Sequence, residues 1–277
     1  MLKLSILIKI INKAISLKGE IIKMGKKPIV LAVAGKGGVG KTSLASVMVK
    51  LLVEAYPDKK ILAIDADPAV GLSTALGVEP ELTLDDIRKE AVEAAENGDT
   101  KATVEVLGEA RYRIFDAMVE MDGFSFIAIG RPEAAGCYCK INTYLKEVIA
   151  QVADNFDYIV IDGEAGIEQI NRRVMEKVTH LVLITDSSKK GCDVVKTIKK
   201  VADNLVMYDK IGVIVNRVPS EDVIQYMDLG NIPMLGWIPA DANLTERDLK
   251  GESVFYIPNE APIVEGLRSA LVNLGVI

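Results

Sequence analysis

The sequence predicts an α/β protein built on a single doubly wound, mostly parallel sheet. Two observations predict it. Seven apolar runs recur along the chain: "PIVLAVAG", "KILAIDAD", "FSFIAIG", "DYIVIDG", "HLVLITD", "KIGVIVN" and "MLGWIP". They are continuous rather than alternating, as strands buried on both faces are. Helix-forming stretches separate them, and strand–helix alternation leads to a parallel sheet covered on both sides. The chain has 277 residues, 49% of them apolar, enough for one sizeable core.

The first 23 residues stand apart from this rhythm. On a helical wheel Ser5, Lys9, Asn12, Lys13, Ser16, Glu20 and Lys23 share one face, and Leu4, Leu7, Ile8, Ile11, Ile15 and Ile22 lie away from it. That pattern predicts a basic amphipathic helix over residues 1–23. Packing on its own domain, or upstream sequence translated ahead of a start at Met24, is preferred to a membrane anchor, because such periodicity mostly marks packing. The compact domain is expected over residues 24–277.

No small-residue cleavage site follows the first apolar run, and no apolar run reaches the roughly 18 residues of a membrane span. A cytoplasmic setting is expected. The net charge of −6 argues against nucleic acid as a partner. Three cysteines make no disulfide framework.

The first strand runs into "GKGGVGKTS", residues 35–43. This is G-x-x-x-x-G-K-[ST] placed after a strand and opening a helix, the context of a phosphate-binding loop. The fold is therefore that of a P-loop NTPase. Gly35, Lys36, Gly37, Gly38, Val39, Gly40, Lys41, Thr42 and Ser43 would line the nucleotide. Glycines let backbone N–H groups turn toward phosphate oxygens, and a helix N-terminus adds positive potential. Lys41 is expected on the β and γ phosphates and Thr42 on Mg²⁺. Carboxylates end later strands, Asp65 and Asp67 in "AIDADP" and Asp162 in "YIVIDGEAGIE". Mg²⁺ takes one or two carboxylates together with phosphate oxygens. Residues 83–121, within a helical insertion of about 80–121, are charged and helix-favouring, and read as an inserted arm.

"GKGGVGKT" resembles the deviant Walker A motif of the MinD/ParA/nitrogenase-iron-protein class of ATPases. The resemblance covers essentially residues 28–275. It implies ATP held between two subunits of a homodimer, with Lys36 reaching the partner's phosphates as an arginine finger does. It implies Asp65 in the Mg²⁺ shell, Asp67 orienting the attacking water, and Asp162 acting through a magnesium-bound water. Lys36, Lys41 and Asp67 are then the catalytic set. Asn216 and Arg217 in "VIVNRV" and Pro239 in "WIPAD" would bind or close over the base; the Asn216 amide can both donate and accept.

The stretch "PEAAGCYCKINTYL" holds Cys137 and Cys139 in a chain with one histidine. Two thiolates are half of a four-sulfur site for zinc, nickel or an iron–sulfur cluster. A twofold axis would supply the other half. Cys192, after another strand, is not placed to finish it, and its role stays open. "GCYCKIN", with Asn142, and "DGEAGIEQ" resemble the accessory ATPases that mature nickel enzymes such as carbon monoxide dehydrogenase. That resemblance implies Ni²⁺ or Zn²⁺ bridging the dimer through Cys137 and Cys139, and a nickel enzyme as client. Two alternatives remain, an ATP-dependent iron–sulfur scaffold or electron donor, and a MinD-like positioning ATPase.

Overall fold

The computed structural model describes residues 27–67, 71–97, 100–130, 139–163, 174 and 177–277. Residues 1–23, with their expected amphipathic helix, lie outside the described residues, and so does Cys137. All seven apolar runs form strands: β1 (Ile29–Gly35), β2 (Ile61–Asp65), β4 (Phe124–Ala128), β5 (Tyr158–Asp162), β6 (His180–Thr185), β7 (Lys210–Val218) and β8 (Met234–Pro239). An eighth, β3 (Val119–Met121), pairs antiparallel with β4 at one edge. The order is β3-β4-β2-β5-β1-β6-β7-β8, and every other pairing is parallel.

Both faces of the sheet are covered, and β1 shows how. Val30, Ala32 and Ala34 belong to one apolar cluster, and Leu31 and Val33 to the other. Successive strand residues point to opposite faces, so an uninterrupted apolar run satisfies two cores at once. The second cluster takes in α1 (Lys41–Ala55), α2 (Gly71–Leu76) and α8 (Pro262–Leu274), the last following α7 (Ala242–Lys250).

The first cluster takes in α3 (Leu84–Glu96), α4 (Thr100–Asp116), α5 (Cys139–Ala153) and α6 (Lys189–Leu205). The segment expected as an arm is thus not a projection. Ile87, Ala91, Ala110 and Ile114 are buried in the same cluster as Val148 and Val152 of α5. Its last three residues are strand rather than helix. A tight turn at Gly123, φ 87°, folds Met121 back onto Phe124, so the edge pairing overrides local helix preference.

The chain reverses direction around β1. From β1 it builds outward through β2 to β4, returns to β5, then crosses β1 to β6. Ligands in open parallel sheets bind at such a switch point, beyond the carboxyl ends of the strands. Residues 35–43 lie there. The register also sets Asp65 of β2 directly opposite Asp162 of β5.

Candidate nucleotide site

Two glycines shape the loop between β1 and α1. A Cβ on Gly35 would stand 2.1 Å from the carbonyl oxygen of Ile184 on β6. Gly40, at φ 88°, caps α1, and a Cβ there would stand 2.7 Å from the Asn216 Nδ2. No side chain caps this helix start. The first-turn N–H groups are therefore presented to an anion, where the helix dipole also favours negative charge.

Lys41 is 8% exposed, and its Nζ donates to the Lys36 carbonyl at 3.3 Å. A buried ammonium at the start of this helix suits a polyphosphate, which supplies charge-assisted acceptors.

The carboxylates differ in how they are satisfied. Asp65 Oδ2 accepts from the Leu72 N–H at 2.8 Å and Oδ1 from the Asp67 N–H at 3.1 Å. Burial pushes its pKa up to about 6, against those two bonds. Asp162 is fully buried, and among the described residues neither of its oxygens meets hydrogen-bond geometry, although the Thr42 hydroxyl lies near enough to favour the charged form. Burial pushes Asp162 up to about 7; the Asp65 and Asp67 charges add to this, and Thr42 and Lys41 oppose it. An orphaned carboxylate opposite a second carboxylate, beside a threonine hydroxyl, is a set of hard oxygen donors. It fits Mg²⁺, with Thr42, Asp65 and Asp162 as the residues to hold it directly or through water.

Asn216 and Arg217 leave the end of β7 and grip the loop. Asn216, 2% exposed, donates Nδ2–H to the Val39 carbonyl at 2.8 Å, and its Oδ1 accepts from the Arg217 N–H at 2.9 Å. Arg217 donates through Nη1 to the Gly38 carbonyl at 2.9 Å. Its φ of 58° is unusual for a residue with a Cβ, and such strain persists where the surroundings demand it. Asn216 keeps one N–H and one Oδ1 lone pair beyond these bonds, the complement a base edge needs. Pro239 closes β8, and Asp241 of "WIPAD" caps α7 by accepting from the Asn243 N–H at 2.9 Å.

One residue of the site escaped sequence reading. Asp186, which follows β6, accepts from Lys36 Nζ at 2.7 Å. The signal was visible as a carboxylate at a strand end in "HLVLITD", like Asp65 and Asp162. Cys139 is the first residue of α5. Cys192 is a free, buried thiol on α6, its pKa raised by burial. Among the described residues, no group of three or more His, Cys, Asp or Glu side chains gathers as a metal site. No described helix is long and apolar enough to cross a membrane.

Residues 30–254 match the CobQ/CobB/MinD/ParA nucleotide binding domain. The chain belongs to this family. It is an ATPase of the MinD/ParA class. An uncharacterized ATP-binding protein of Methanocaldococcus jannaschii is 35% identical over 252 residues, 88% of this chain and 99% of the relative. The carbon monoxide dehydrogenase accessory protein CooC of Rhodospirillum rubrum is 27% identical over 248 residues, 81% of this chain and 89% of the relative. Among solved structures, the cell division ATPase MinD of Pyrococcus furiosus superposes with a TM-score of 0.62 at 22% identity, covering 90% of this chain and 99% of that one. That likeness is one of fold.

Proposed function

We propose that this MinD/ParA-class ATPase is a dimeric maturation factor that carries a metal ion through Cys137 and Cys139 of each subunit and hands nickel to a client metalloenzyme of the carbon monoxide dehydrogenase type. The observation that carries the reading is the Cys-x-Cys pair between the end of β4 and the start of α5. β4 ends at Ala128 beside Asp65, so the strand that precedes this stretch finishes at the same carboxyl end of the sheet as β1. The similarity to the CooC accessory protein supports the same client chemistry.

In this reading ATP lies against the first turn of α1. The N–H groups of residues 37–42 and the Lys41 ammonium bind its phosphates. Mg²⁺, when bound, would neutralise phosphate charge. Asp162 and Asp65 hold its water shell, and Thr42 offers its hydroxyl. Asp67 orients the attacking water. Lys36 completes the partner's site, so hydrolysis is tied to dimerisation. Nickel or zinc is cargo, held by four thiolates across the twofold axis.

Anaerobic purification followed by metal analysis tests the proposal. Half an equivalent of nickel or zinc per chain is expected, lost in Cys137→Ser and in Cys139→Ser and kept in Cys192→Ser. Serine exchanges a soft thiolate for a hard hydroxyl, and the axis doubles each loss. A full equivalent bound by a monomer would overturn the bridging site. Similarity to MinD proteins, such as that of Synechocystis at 28% identity over 235 residues, favours a positioning ATPase as a second reading. It leaves the cysteines without a task, and a metal-free protein that still dimerises on ATP would select it.

A further inference from the structure

Lys36 does not extend freely from its loop. Its Nζ sits 2.7 Å from Asp186 Oδ2 of the same chain, with the two side chains 28% and 30% exposed. The acceptor is held ready by the start of α6. Asp186 Oδ1 accepts from the Ser188 N–H at 3.1 Å and from the Ser188 hydroxyl. Ser188 in turn caps α6 by accepting from the Gly191 N–H at 3.0 Å. A Cβ at position 191 would stand 2.3 Å from Asp186 Oδ1, so glycine makes room for this carboxylate. Burial raises the Asp186 pKa, but the bonds from Lys36 and Ser188 outweigh it and keep the group an anion. One oxygen is thus fixed by the helix start, and the other is left for the lysine.

We propose that Asp186 is a positioning residue that holds Lys36 within its own subunit and releases it only when a second copy presents nucleotide phosphates. The inference rests on Lys36 acting in trans, as set out above. A lysine cannot bridge to Asp186 and reach across an interface at once, so every dimer formed breaks two such pairs. A polyphosphate carries more charge than one carboxylate and is the stronger partner once it is near. The contact therefore works against nucleotide-free association and makes dimerisation conditional on ATP. A partly exposed ion pair is worth up to about fivefold in an equilibrium constant. Two per dimer give up to about twenty-five-fold in the dimerisation constant.

Asp186→Asn is the decisive variant. It removes the charge but keeps an Oδ1 acceptor for Ser188, so the start of α6 survives. Dimerisation is measured by analytical ultracentrifugation with a non-hydrolysable ATP analogue and Mg²⁺, in wild type, Asp186→Asn, Lys36→Ala and the double variant. Asp186→Asn should dimerise about two- to twenty-five-fold more tightly than wild type. The gain should vanish in the Lys36→Ala background, which a merely structural role for Asp186 would not produce. Unchanged or weaker dimerisation of Asp186→Asn, with Lys36→Ala still defective, would overturn the holding role and leave the trans lysine standing. Normal dimerisation and hydrolysis in Lys36→Ala would overturn both.

Discussion

Asp162 offers a quantitative test of the site because its carboxylate is buried with neither oxygen in hydrogen-bond geometry among the described residues. Its pKa lies near 7 in the ligand-free fold, against a usual value of 3.8. A raised folded-state pKa means that stability is fully present below about pH 4 and lost as pH rises through 7. The shift of about 3 units corresponds to about 4 kcal/mol, all of it missing above pH 7. Between pH 5 and pH 8 the loss is about 3 kcal/mol, since about 2 units of that shift lie in the window. Asp162→Asn keeps the shape and removes the titration. Asp65 titrates in both proteins, but its charge is part of what raises Asp162, so the difference reports the coupled pair. The variant should therefore gain about 3 kcal/mol on wild type between pH 5 and pH 8, read from denaturant unfolding without nucleotide. At pH 8 its net advantage should be about 1–3 kcal/mol, because a buried amide without partners carries its own cost. The same variant should lose the stabilisation that Mg²⁺ and ATP confer on wild type. A stability difference that does not change with pH would refute the assignment of Asp162 as a strained, ion-ready carboxylate.

Lys41→Ala should cut ATP hydrolysis by roughly a hundredfold or more, measured as phosphate release, because it removes a buried charge from the transferring phosphate. Gly40→Ala should cost about 1–3 kcal/mol in unfolding free energy and weaken nucleotide binding, since φ is 88° and the added carbon meets Asn216. Arg217→Ala should raise the KM for ATP several-fold by freeing the Gly38 carbonyl. His180 has its pKa lowered by burial, with Lys210 adding to the effect. Its neutral form is the folded one, so its contribution is present above about pH 6.5 and lost as pH falls further. His180→Gln should flatten the acid limb of the stability profile, followed by thermal unfolding between pH 5 and pH 7.

The sequence by itself determined the seven long strands and the phosphate loop. Both are local codes: an apolar run needs two covered faces whatever covers them, and glycines with a lysine and threonine at fixed spacing dictate a turn. It also placed Asp65 and Asp162 at strand ends. Only the tertiary structure decided what those ends meet. β3 was missed because three residues of edge strand are specified by the partner they fold back on, not by their own pattern. Strand order brought Asp65 opposite Asp162 and left neither oxygen of the latter in hydrogen-bond geometry among the described residues. It set Asn216 against Val39, 177 residues away, and Asp186 against Lys36, 150 residues away. Such pairings depend on which strands lie side by side, and no local stretch encodes that. Apolar runs are interchangeable as strands, whereas their neighbours are chosen by the packing of both helical layers at once.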